Sequence, residues 1–354
     1  LKAHGLDKNG HLYKVNSFDF HRYEDTIKLA DDPDYNQAKF EGMLEIKGDS
    51  DHTKLIEMLD ELNDESQKID DVLDTYFDTE NLVYWLAFQI LTGNCDTQNR
   101  NCYLYSPLNS NTWYFLDWDN DGMLRKLELS LTGFSDYASW ERGVSNYWGN
   151  VLFNRALRSK SFRSELDRAV KDLRSYLTET RLTKMIKHYR EVTESLVFAS
   201  PDIDHLPVTK DQYEQIAAAI PSEIEENYKS FRESYKKPMP FYIGVPQIDN
   251  GKLRINWGAS YDFKARDIRY TVELARDYAI SDVVFKAEDV LLPEVTCDAP
   301  DAGQYFVRVR ATNSDGYTQD AFDYYVTDGG KQYGMKCFYV QDGGRVVEDT
   351  YEEG

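Results

Sequence analysis

Residues 94–122, NCDTQNRNCYLYSPLNSNTWYFLDWDNDG, bring together the polar and acidic side chains that are candidates for a functional site. Two aromatic-rich stretches, NCYLYS and TWYFLDWD, flank the turn-rich PLNSN, and this order predicts a β-hairpin. Successive side chains of a strand point to opposite faces, so one face of the second strand carries four of its residues: Trp113, Phe115, Asp117 and Asp119. The hairpin is therefore expected to end in two carboxylates that share a face with aromatic rings.

An aspartate and an asparagine precede the hairpin at the spacing D-x-x-x-x-N, as Asp96 and Asn101. Catalytic loops of protein kinases use this spacing, because the Asp must face the attacking hydroxyl while the Asn turns back towards the metal beside the phosphates. The hairpin would then return the chain to the same place and deliver Asp119 and Asp121. In the alternative interpretation, Asp96 and Asn101 only cap turns through bonds to their own backbone.

The acidic stretch also fits the calcium-loop pattern D-x-D-x-D-G-x5-E, running from Asp117 to Glu128 with Leu124 at its usual apolar position. Three features argue against an EF-hand: the loop is entered from a predicted strand, the bulky Trp118 occupies its second position, and no paired second loop follows. Ca²⁺ binding at Asp117–Glu128 without an EF-hand fold remains an alternative.

Helical periodicity surrounds the hairpin. Apolar residues recur at intervals of three and four in 55–62 and again in 82–90. Asp78 or Thr79 is expected to cap the second of these helices, and Gly93 to end it. Upstream, residues 1–47 are strand-rich and irregular, and HLYKV (11–15) and FEGMLEIKG (40–48) alternate in the manner of strands. Downstream, helices are predicted near 150–177, 179–196 and 209–236.

Composition changes at KKPMP (236–240), after which short alternating strands are separated by DNG, NSDG and DGG turns. This pattern predicts an all-β module that resembles a fibronectin type III domain, with Trp257 and Tyr270 in early core strands and Tyr305 suited to a tyrosine corner. The predicted division of the chain is 1–237, 238–329 for the fibronectin-like module, and 330–354 for a tail with a possible strand, KCFYVQ.

The bulk composition excludes several function classes. A net charge of −21 argues against nucleic acid or an anionic membrane as the partner, because binding phosphate requires clustered Lys and Arg. No apolar run reaches the roughly 18 residues that a membrane span needs. The four cysteines show no C-x-x-C spacing, which argues against zinc. Cys95 and Cys102 could pair locally or remain as two buried thiols.

Several of these segments resemble the spore coat protein H (CotH) kinase family. The most specific are YWLAFQILTGNCD, RNCYLY and LDWDND, which follow one another in the family's order. GHLYKV upstream, with NVLFNRAL and SFRSEL downstream, also look like family elements. The resemblance covers roughly residues 10–235. It implies an α+β chain, in which a kinase-like domain with a mostly helical C-terminal lobe precedes the all-β module.

The resemblance also implies roles for individual residues. Asp96 takes the role of the catalytic aspartate, Asn101 that of a supporting metal ligand, Asp119 that of the principal metal ligand and Asp121 that of a secondary one. The implied cofactors are ATP and Mg²⁺ or Mn²⁺. Trp113 is a candidate for stacking on the adenine, although a tryptophan in a hairpin is more often a core residue.

The chain departs from the family pattern ahead of its LYK motif. Family members have further strands there, which help to build the roof over the nucleotide. Lys14 and Lys47 are the strand lysines that could reach phosphate, and no glycine-rich loop precedes them. Lys47 shares a strand face with Glu45, and an exposed strand pair is the favoured interpretation of both residues. Lys14 is the better of the two candidates, because its LYK context matches the family. We therefore expect either that the upstream part of the lobe is missing or that the site is degenerate.

Taken together, the residues and the resemblance predict a secreted or cell-surface protein kinase that phosphorylates Ser/Thr hydroxyls of proteins. Its expected partners are protein substrates and cell-envelope or extracellular proteins, without nucleic acid and without a membrane span. The alternative is a catalytically inactive CotH-like protein with a structural or binding role at the surface, and a third interpretation is calcium-stabilised adhesion.

Overall fold

The computed structural model describes residues 5–133 and 138–349. The chain divides into two compact units. Unit 1 comprises Leu1–Ser135 and Arg142–Phe231, and unit 2 comprises Asp136–Glu141 and Arg232–Gly354. Within the described residues, no helix is both long enough and apolar enough to cross a membrane.

Unit 1 contains a small antiparallel sheet with the strand order β2-β1-β3-β4. Its strands are β1 (His11–Val15), β2 (Leu44–Ile46), β3 (Cys102–Ser106) and β4 (Tyr114–Asp117). Along β1, the side chains of His11, Tyr13 and Val15 are buried, whereas Leu12 and Lys14 retain partial exposure. This alternation is what a sheet with one face on the core requires. β3 and β4 form the predicted hairpin, in a register that places Cys102 opposite Asp117.

Helices make up most of unit 1, which confirms the predicted helical character of this part of the chain. They are α1 (Gln37–Met43), α2 (Thr53–Asn63), α3 (Ile69–Tyr76), α4 (Thr79–Thr92), α5 (Lys126–Leu131), α6 (Val151–Arg158), α7 (Lys160–Tyr176), α8 (Glu179–Val197) and α9 (Lys210–Ser234).

Helix α4 is the central helix of unit 1. The side chain of Asp78 caps its first turn by accepting a hydrogen bond from the Asn81 amide. Gly93 ends the helix with φ at +67°, a left-handed conformation that glycine adopts without strain. Both ends agree with the sequence prediction. α4 is apolar on most of its faces and packs against α7 and β4, so it delivers the chain at residue 94 from a rigid support.

The apolar core of unit 2 lies between two antiparallel sheets, and the strands Tyr324–Thr327 and Gly330–Tyr333 form a further two-stranded sheet. One sheet has the order β5-β6-β9, and the other has β15-β14-β10-β7-β8 with β11 attached to β10. The core contains the three aromatic residues chosen from the sequence, Trp257, Tyr270 and Tyr305, which are 5%, 4% and 2% exposed. The Tyr305 hydroxyl donates to the Asp301 carbonyl oxygen over 3.0 Å, as a tyrosine corner does.

The strands of unit 2 are β5 (Gln247–Asp249), β6 (Lys252–Asn256), β7 (Ile268–Ala275), β8 (Val283–Val290), β9 (Glu294–Asp298), β10 (Gly303–Asn313), β11 (Thr318–Asp320), β12 (Tyr324–Thr327), β13 (Gly330–Tyr333), β14 (Met335–Val340) and β15 (Val346–Glu348). The strand expected at KCFYVQ corresponds to β14. It pairs with β10 from Met335 to Val340 and contributes the buried Phe338 to the core. This part of the 330–354 segment is therefore a structural strand of the larger sheet; residues 350–354 lie outside the described residues.

Candidate active site

The segment that leaves α4 carries the predicted catalytic aspartate, and we call residues 94–101 the Asp96 loop. Asp96 lies in a single 3₁₀ turn, Cys95–Thr97. Its Oδ2 accepts a hydrogen bond from Asn101 Nδ2 over 2.8 Å, and its Oδ1 lies 3.3 Å from Arg100 Nε. The Asp96 side chain nevertheless remains 53% exposed. The structure therefore brings the two residues of the D-x-x-x-x-N motif into direct contact at the surface.

Asn101 has φ at +58°, in the left-handed region that asparagine tolerates better than most residues. Its backbone N–H donates to the Val15 carbonyl oxygen over 3.2 Å, which ties the end of the loop to β1. This conformation reverses the chain at the start of β3, so the Asn101 side chain can turn back to Asp96.

Buried polar side chains hold the rest of the Asp96 loop. Thr97 and Tyr147 share a hydroxyl–hydroxyl hydrogen bond of 2.9 Å, and Asn146 donates to the Cys95 carbonyl oxygen over 3.2 Å. Asn150, which also caps α6, donates to the Gln98 carbonyl oxygen over 2.8 Å. Sequence reasoning missed these supports, because they come from residues about 50 positions away and only folding brings them to the loop.

The second acidic segment follows β4, and we call residues 117–122 the acidic turn. β4 ends at Asp117, and the chain continues into a 3₁₀ turn, Asn120–Gly122. Asp119 has φ at +56°, so it has left the strand. The expected alternation therefore holds for Trp113, Phe115 and Asp117, but it does not extend to Asp119. Asp119 and Asp121 are both exposed.

The acidic turn packs against the Asp96 loop. A Cβ atom placed on Gly122 would lie 2.7 Å from Asn94 Oδ1 and 3.7 Å from the Asp96 Cβ. Such close approach is possible only because residue 122 has no side chain. The hairpin thus returns Gly122 of the acidic turn to the neighbourhood of Asp96. That Asp119 and Asp121 share a cation site with Asp96 and Asn101 stays a prediction.

Comparison with known families agrees with this arrangement. A family model described as CotH kinase protein matches residues 1–231 of the 354-residue chain. The chain belongs to the CotH kinase protein family. No curated protein matches the chain. The similar solved structures include the "Twitchin kinase region from C.elegans (Fn31-NL-kin-CRD-Ig26)", with 19% sequence identity and a TM-score of 0.21. That match covers 27% of this chain and 20% of the other, which is too limited a likeness to carry an argument.

The candidate metal-binding residues of the CotH kinase domain carry oxygen donors. Among the residues that the structure describes, no three His, Cys, Asp or Glu side chains gather closely enough to hold a metal ion by themselves. Mg²⁺ rarely needs such a cage, because it binds one or two carboxylates and completes its octahedron with water and phosphate oxygens. The carboxylates of Asp119 and Asp121 and the amide oxygen of Asn101 are donors of the type that it prefers.

The calcium-loop alternative finds no support in the geometry of residues 117–128. Glu128, its expected bidentate ligand, lies in α5 and binds the Arg125 guanidinium at 2.7 and 2.9 Å. Asp117, the expected first ligand, accepts a hydrogen bond from Gln89 Nε2 over 2.9 Å. Burial raises the pKa of Asp117, and the bond from Gln89 acts in the opposite direction. The ends of the expected loop are thus engaged with other side chains.

The structure corrects the role expected of Trp113. Its side chain is 1% exposed and packs in the core beside His11 and Tyr13, so it cannot stack on a nucleotide base. The exposed tryptophan at the site is Trp118, which is 44% exposed. Trp118 makes an edge contact with Tyr103 at 5.3 Å between ring centroids. Trp118 follows β4 directly, and its position within LDWDND beside the acidic residues was the signal that could have identified it.

The two candidate phosphate-binding lysines occupy different settings. Lys14 on β1 has its Nζ 5.9 Å from the centre of the Trp118 ring, at the outer face of the small sheet. Lys47 forms an ion pair and a hydrogen bond with Glu45, which is the strand pair that the sequence allowed. Lys14 is therefore the lysine that the fold places near the end of β4.

Proposed function

We propose that the CotH kinase domain transfers the γ-phosphoryl group of ATP to Ser/Thr hydroxyls of proteins, with Mg²⁺ or Mn²⁺. The observation that carries this proposal is the hydrogen-bonded pair of Asp96 and Asn101, with the acidic turn packed against it. Family membership supports a kinase-like protein in general. The activity, the substrate and the residue roles are our inference.

In the proposed mechanism, the exposed Asp96 carboxylate accepts the proton of the substrate hydroxyl. The amide oxygen of Asn101 and the carboxylate of Asp119 would hold the divalent cation, with Asp121 as a secondary ligand. The cation would neutralise charge on the transferring phosphoryl group, which is the main requirement of this chemistry. Asp96 already accepts a hydrogen bond from Asn101 and forms an ion pair with Arg100. A carboxylate has about four lone-pair sites, so the substrate hydroxyl can bind without displacing either group.

For the nucleotide itself, we propose the outer face of the small sheet. Trp118 offers an exposed aromatic surface there, and Lys14 offers a cation close to it. An aromatic face can stack on adenine, and an ammonium group can approach phosphate oxygens. Trp118 thereby takes the role for which Trp113 is too deeply buried.

We further propose that unit 2 is a fibronectin type III-like spacer or adhesion module and that the protein acts in a secreted or cell-surface setting, on cell-envelope or extracellular proteins. The order of strands supports the first part, because three strands (β5-β6-β9) face a second sheet that contains β8-β7-β10-β14, joined around one core. The high negative charge supports a protein partner over nucleic acid.

One observation favours the alternative of a catalytically inactive binding protein. Lys47 forms an ion pair with Glu45, and Arg100 forms one with Asp96. Fewer charged groups are therefore available to bind nucleotide and substrate than a kinase uses. In that case the acidic turn and the exposed aromatic surface would serve recognition without transfer.

The experiment that separates the two is transfer of radiolabelled phosphate from ATP, to the protein itself and to a generic basic protein, with Mg²⁺ or Mn²⁺. We expect metal-dependent transfer by the wild type and loss of transfer in Asp96→Asn, which keeps the size of the side chain but cannot act as a base. Absence of transfer by the wild type, or equal transfer by Asp96→Asn, would refute the proposal.

A further inference from the structure

Gln89 in the last turns of α4 connects the two halves of the site. It is 1% exposed, in a helix that is otherwise almost wholly apolar on its buried faces. Its Nε2 donates to Asp117 Oδ1 over 2.9 Å, and its Oε1 accepts from Asn94 Nδ2 over 3.0 Å. A buried amide is stable only when its donor and its acceptor are both satisfied, and Gln89 meets this condition with partners in both halves. Asn94 is its partner in the Asp96 loop; in the acidic turn its Nε2 bonds Asp117 and also lies 3.5 Å from Asn120 Oδ1.

Asn94 continues the connection towards the acidic turn. It is 2% exposed, and its backbone N–H donates to the Gln89 carbonyl oxygen. With Nδ2 committed to Gln89, its Oδ1 faces Gly122 and accepts no hydrogen bond from the residues that the structure describes. The Asn94 side chain therefore lies between the end of α4 and the backbone of the acidic turn, in contact with both.

We propose that Gln89 and Asn94 are positioning residues that hold the acidic turn at a fixed distance from the Asp96 loop, and that they thereby set the affinity of the site for its divalent cation. The inference rests on the proposed phosphoryl transfer. In that proposal, neither Gln89 nor Asn94 touches the substrate hydroxyl or the divalent cation. Through Asp117 and Gly122, they fix the two ends of the segment that carries Asp119. Groups that orient metal ligands commonly affect metal affinity in this way.

The arrangement permits a test by exchange of donor and acceptor. Gln89→Glu preserves the shape and the bond from Asn94, but it sets a carboxylate against Asp117. Adding Asp117→Asn restores a donor–acceptor pair with its direction reversed. We expect the Mn²⁺ concentration for half-saturation in the presence of ATP, measured by electron paramagnetic resonance, to rise roughly 10- to 100-fold in Gln89→Glu. In the double variant it should return to within about threefold of the wild type, because the two changes compensate each other.

The matched control is Asn81→Leu. Asn81 also ties α4 to β4, by donating to the Phe115 carbonyl oxygen and accepting from the Phe115 amide, but at the far end of the helix. Its loss should lower the thermal stability while leaving the half-saturating Mn²⁺ concentration unchanged. An equal loss of Mn²⁺ affinity in Asn81→Leu, or an unchanged affinity in Gln89→Glu, would overturn the inference.

Hydrogen–deuterium exchange tests the positioning role of Gln89 and Asn94 without requiring phosphoryl transfer. The Leu124 amide donates to the Thr92 carbonyl oxygen over 2.8 Å, so its protection reports the docking of the acidic turn. In Gln89→Glu, peptides covering 94–101 and 117–124 should exchange faster together, and the double variant should reverse this. If the wild type fails to bind Mn²⁺ with ATP, the proposed function fails. Unchanged exchange in Gln89→Glu would overturn the positioning role on its own.

Discussion

The two halves of the site are supported very differently. The Asp96 loop is held by buried hydrogen bonds from several elements, including those of Tyr147 and Asn150 and the backbone bond to β1. The acidic turn is held by the bond from Gln89 to Asp117, the contact of Gly122 with Asn94 and the Leu124 backbone bond. Its own carboxylates, Asp119 and Asp121, are exposed.

This contrast suits two different chemical tasks, which are to position a base and to bind a metal. A base must be held in place before the substrate arrives, since misplacement of a reacting group by about 1 Å can lower the rate about 100-fold. A metal ligand can complete its geometry when the cation and the phosphates bind. The loop is therefore the half with a preorganised reacting group, and the acidic turn is the half whose exposed carboxylates we expect metal binding to order.

The largest effect is expected from the metal ligands. Asp119→Ala should remove several kcal/mol (on the order of 3 or more) of transition-state stabilisation, since it deletes the principal ligand. Asp121→Ala should affect transfer less, because Asp121 is the secondary ligand. Radiolabelled transfer under equal Mg²⁺ concentrations compares the two variants. If Asp119→Ala retained as much activity as Asp121→Ala, the assignment of the principal ligand would be wrong.

The contact between the two halves can be broken at Gly122. Gly122→Ala places a methyl group 2.7 Å from Asn94 Oδ1, so either the turn or the loop must move. We expect a loss of about 1–3 kcal/mol in the free energy of unfolding, as for other overpacked sites, together with weaker Mn²⁺ binding. Gly42→Ala is the matched control, because a Cβ there meets nothing within 4 Å. Equal denaturation midpoints for the two variants would contradict the close contact.

The exposed aromatic surface beside the acidic turn offers a smaller effect. Trp118→Ala should weaken ATP binding by about 1 kcal/mol, the lower end of the range for a base stacked on an aromatic ring. Trp118→Phe retains a ring and should recover most of the loss. Half-saturating ATP concentrations, measured by the shift in melting temperature, provide the readout. Unchanged ATP affinity in Trp118→Ala would show that the nucleotide does not bind at this face of the sheet.

The buried histidine that bonds Tyr13 of β1 should make the stability of unit 1 fall in acid. His52 is fully buried, with its ring nitrogens 2.8 Å from the Tyr13 hydroxyl and 3.2 Å from the Tyr35 hydroxyl. Burial lowers the pKa of His52, so below about pH 6.5 the unfolded chain takes up a proton that the folded protein resists. Stability should therefore fall as the pH drops from 6.5 towards the folded pKa, by at most about 1.4 kcal/mol per pH unit for this one group.

Calorimetry from pH 7.5 to 5 measures that slope. The same experiment on His52→Gln should give a shallower dependence, since glutamine does not titrate. Identical slopes for the two proteins would assign the acid response to other groups, such as His11, whose pKa burial also lowers.

Local signals in the sequence predicted the parts of the site that depend on local structure. The Asp78 cap and the Gly93 stop located α4, and the D-x-x-x-x-N spacing paired Asp96 with Asn101. Strand periodicity failed at Asp119, because the chain leaves the strand after Asp117 and alternation has no meaning in a turn.

Contacts between distant parts of the chain were beyond sequence reasoning. The burial of Trp113 depends on β1, and the roles of Gln89 and Asn94 depend on where the acidic turn arrives. Each of these residues has an ordinary local interpretation, as a hairpin aromatic, a polar residue near the end of a helix or a turn asparagine. Tertiary packing selects among such interpretations, and a single sequence does not contain that information in a local pattern.

The central claim is that Asp96, Asn101 and Asp119 converge on one cation. Anomalous diffraction from crystals grown with Mn²⁺ and a non-hydrolysable ATP analogue tests it most directly. We predict one manganese peak with Asn101 Oδ1 and an Asp119 oxygen at about 2.0–2.2 Å, close to the distances that octahedral Mg²⁺ requires. The Asp96 carboxylate should face the γ-phosphate. A manganese ion bound away from Asn101, or carboxylates of Asp96 and Asp119 more than about 10 Å apart in that complex, would contradict it.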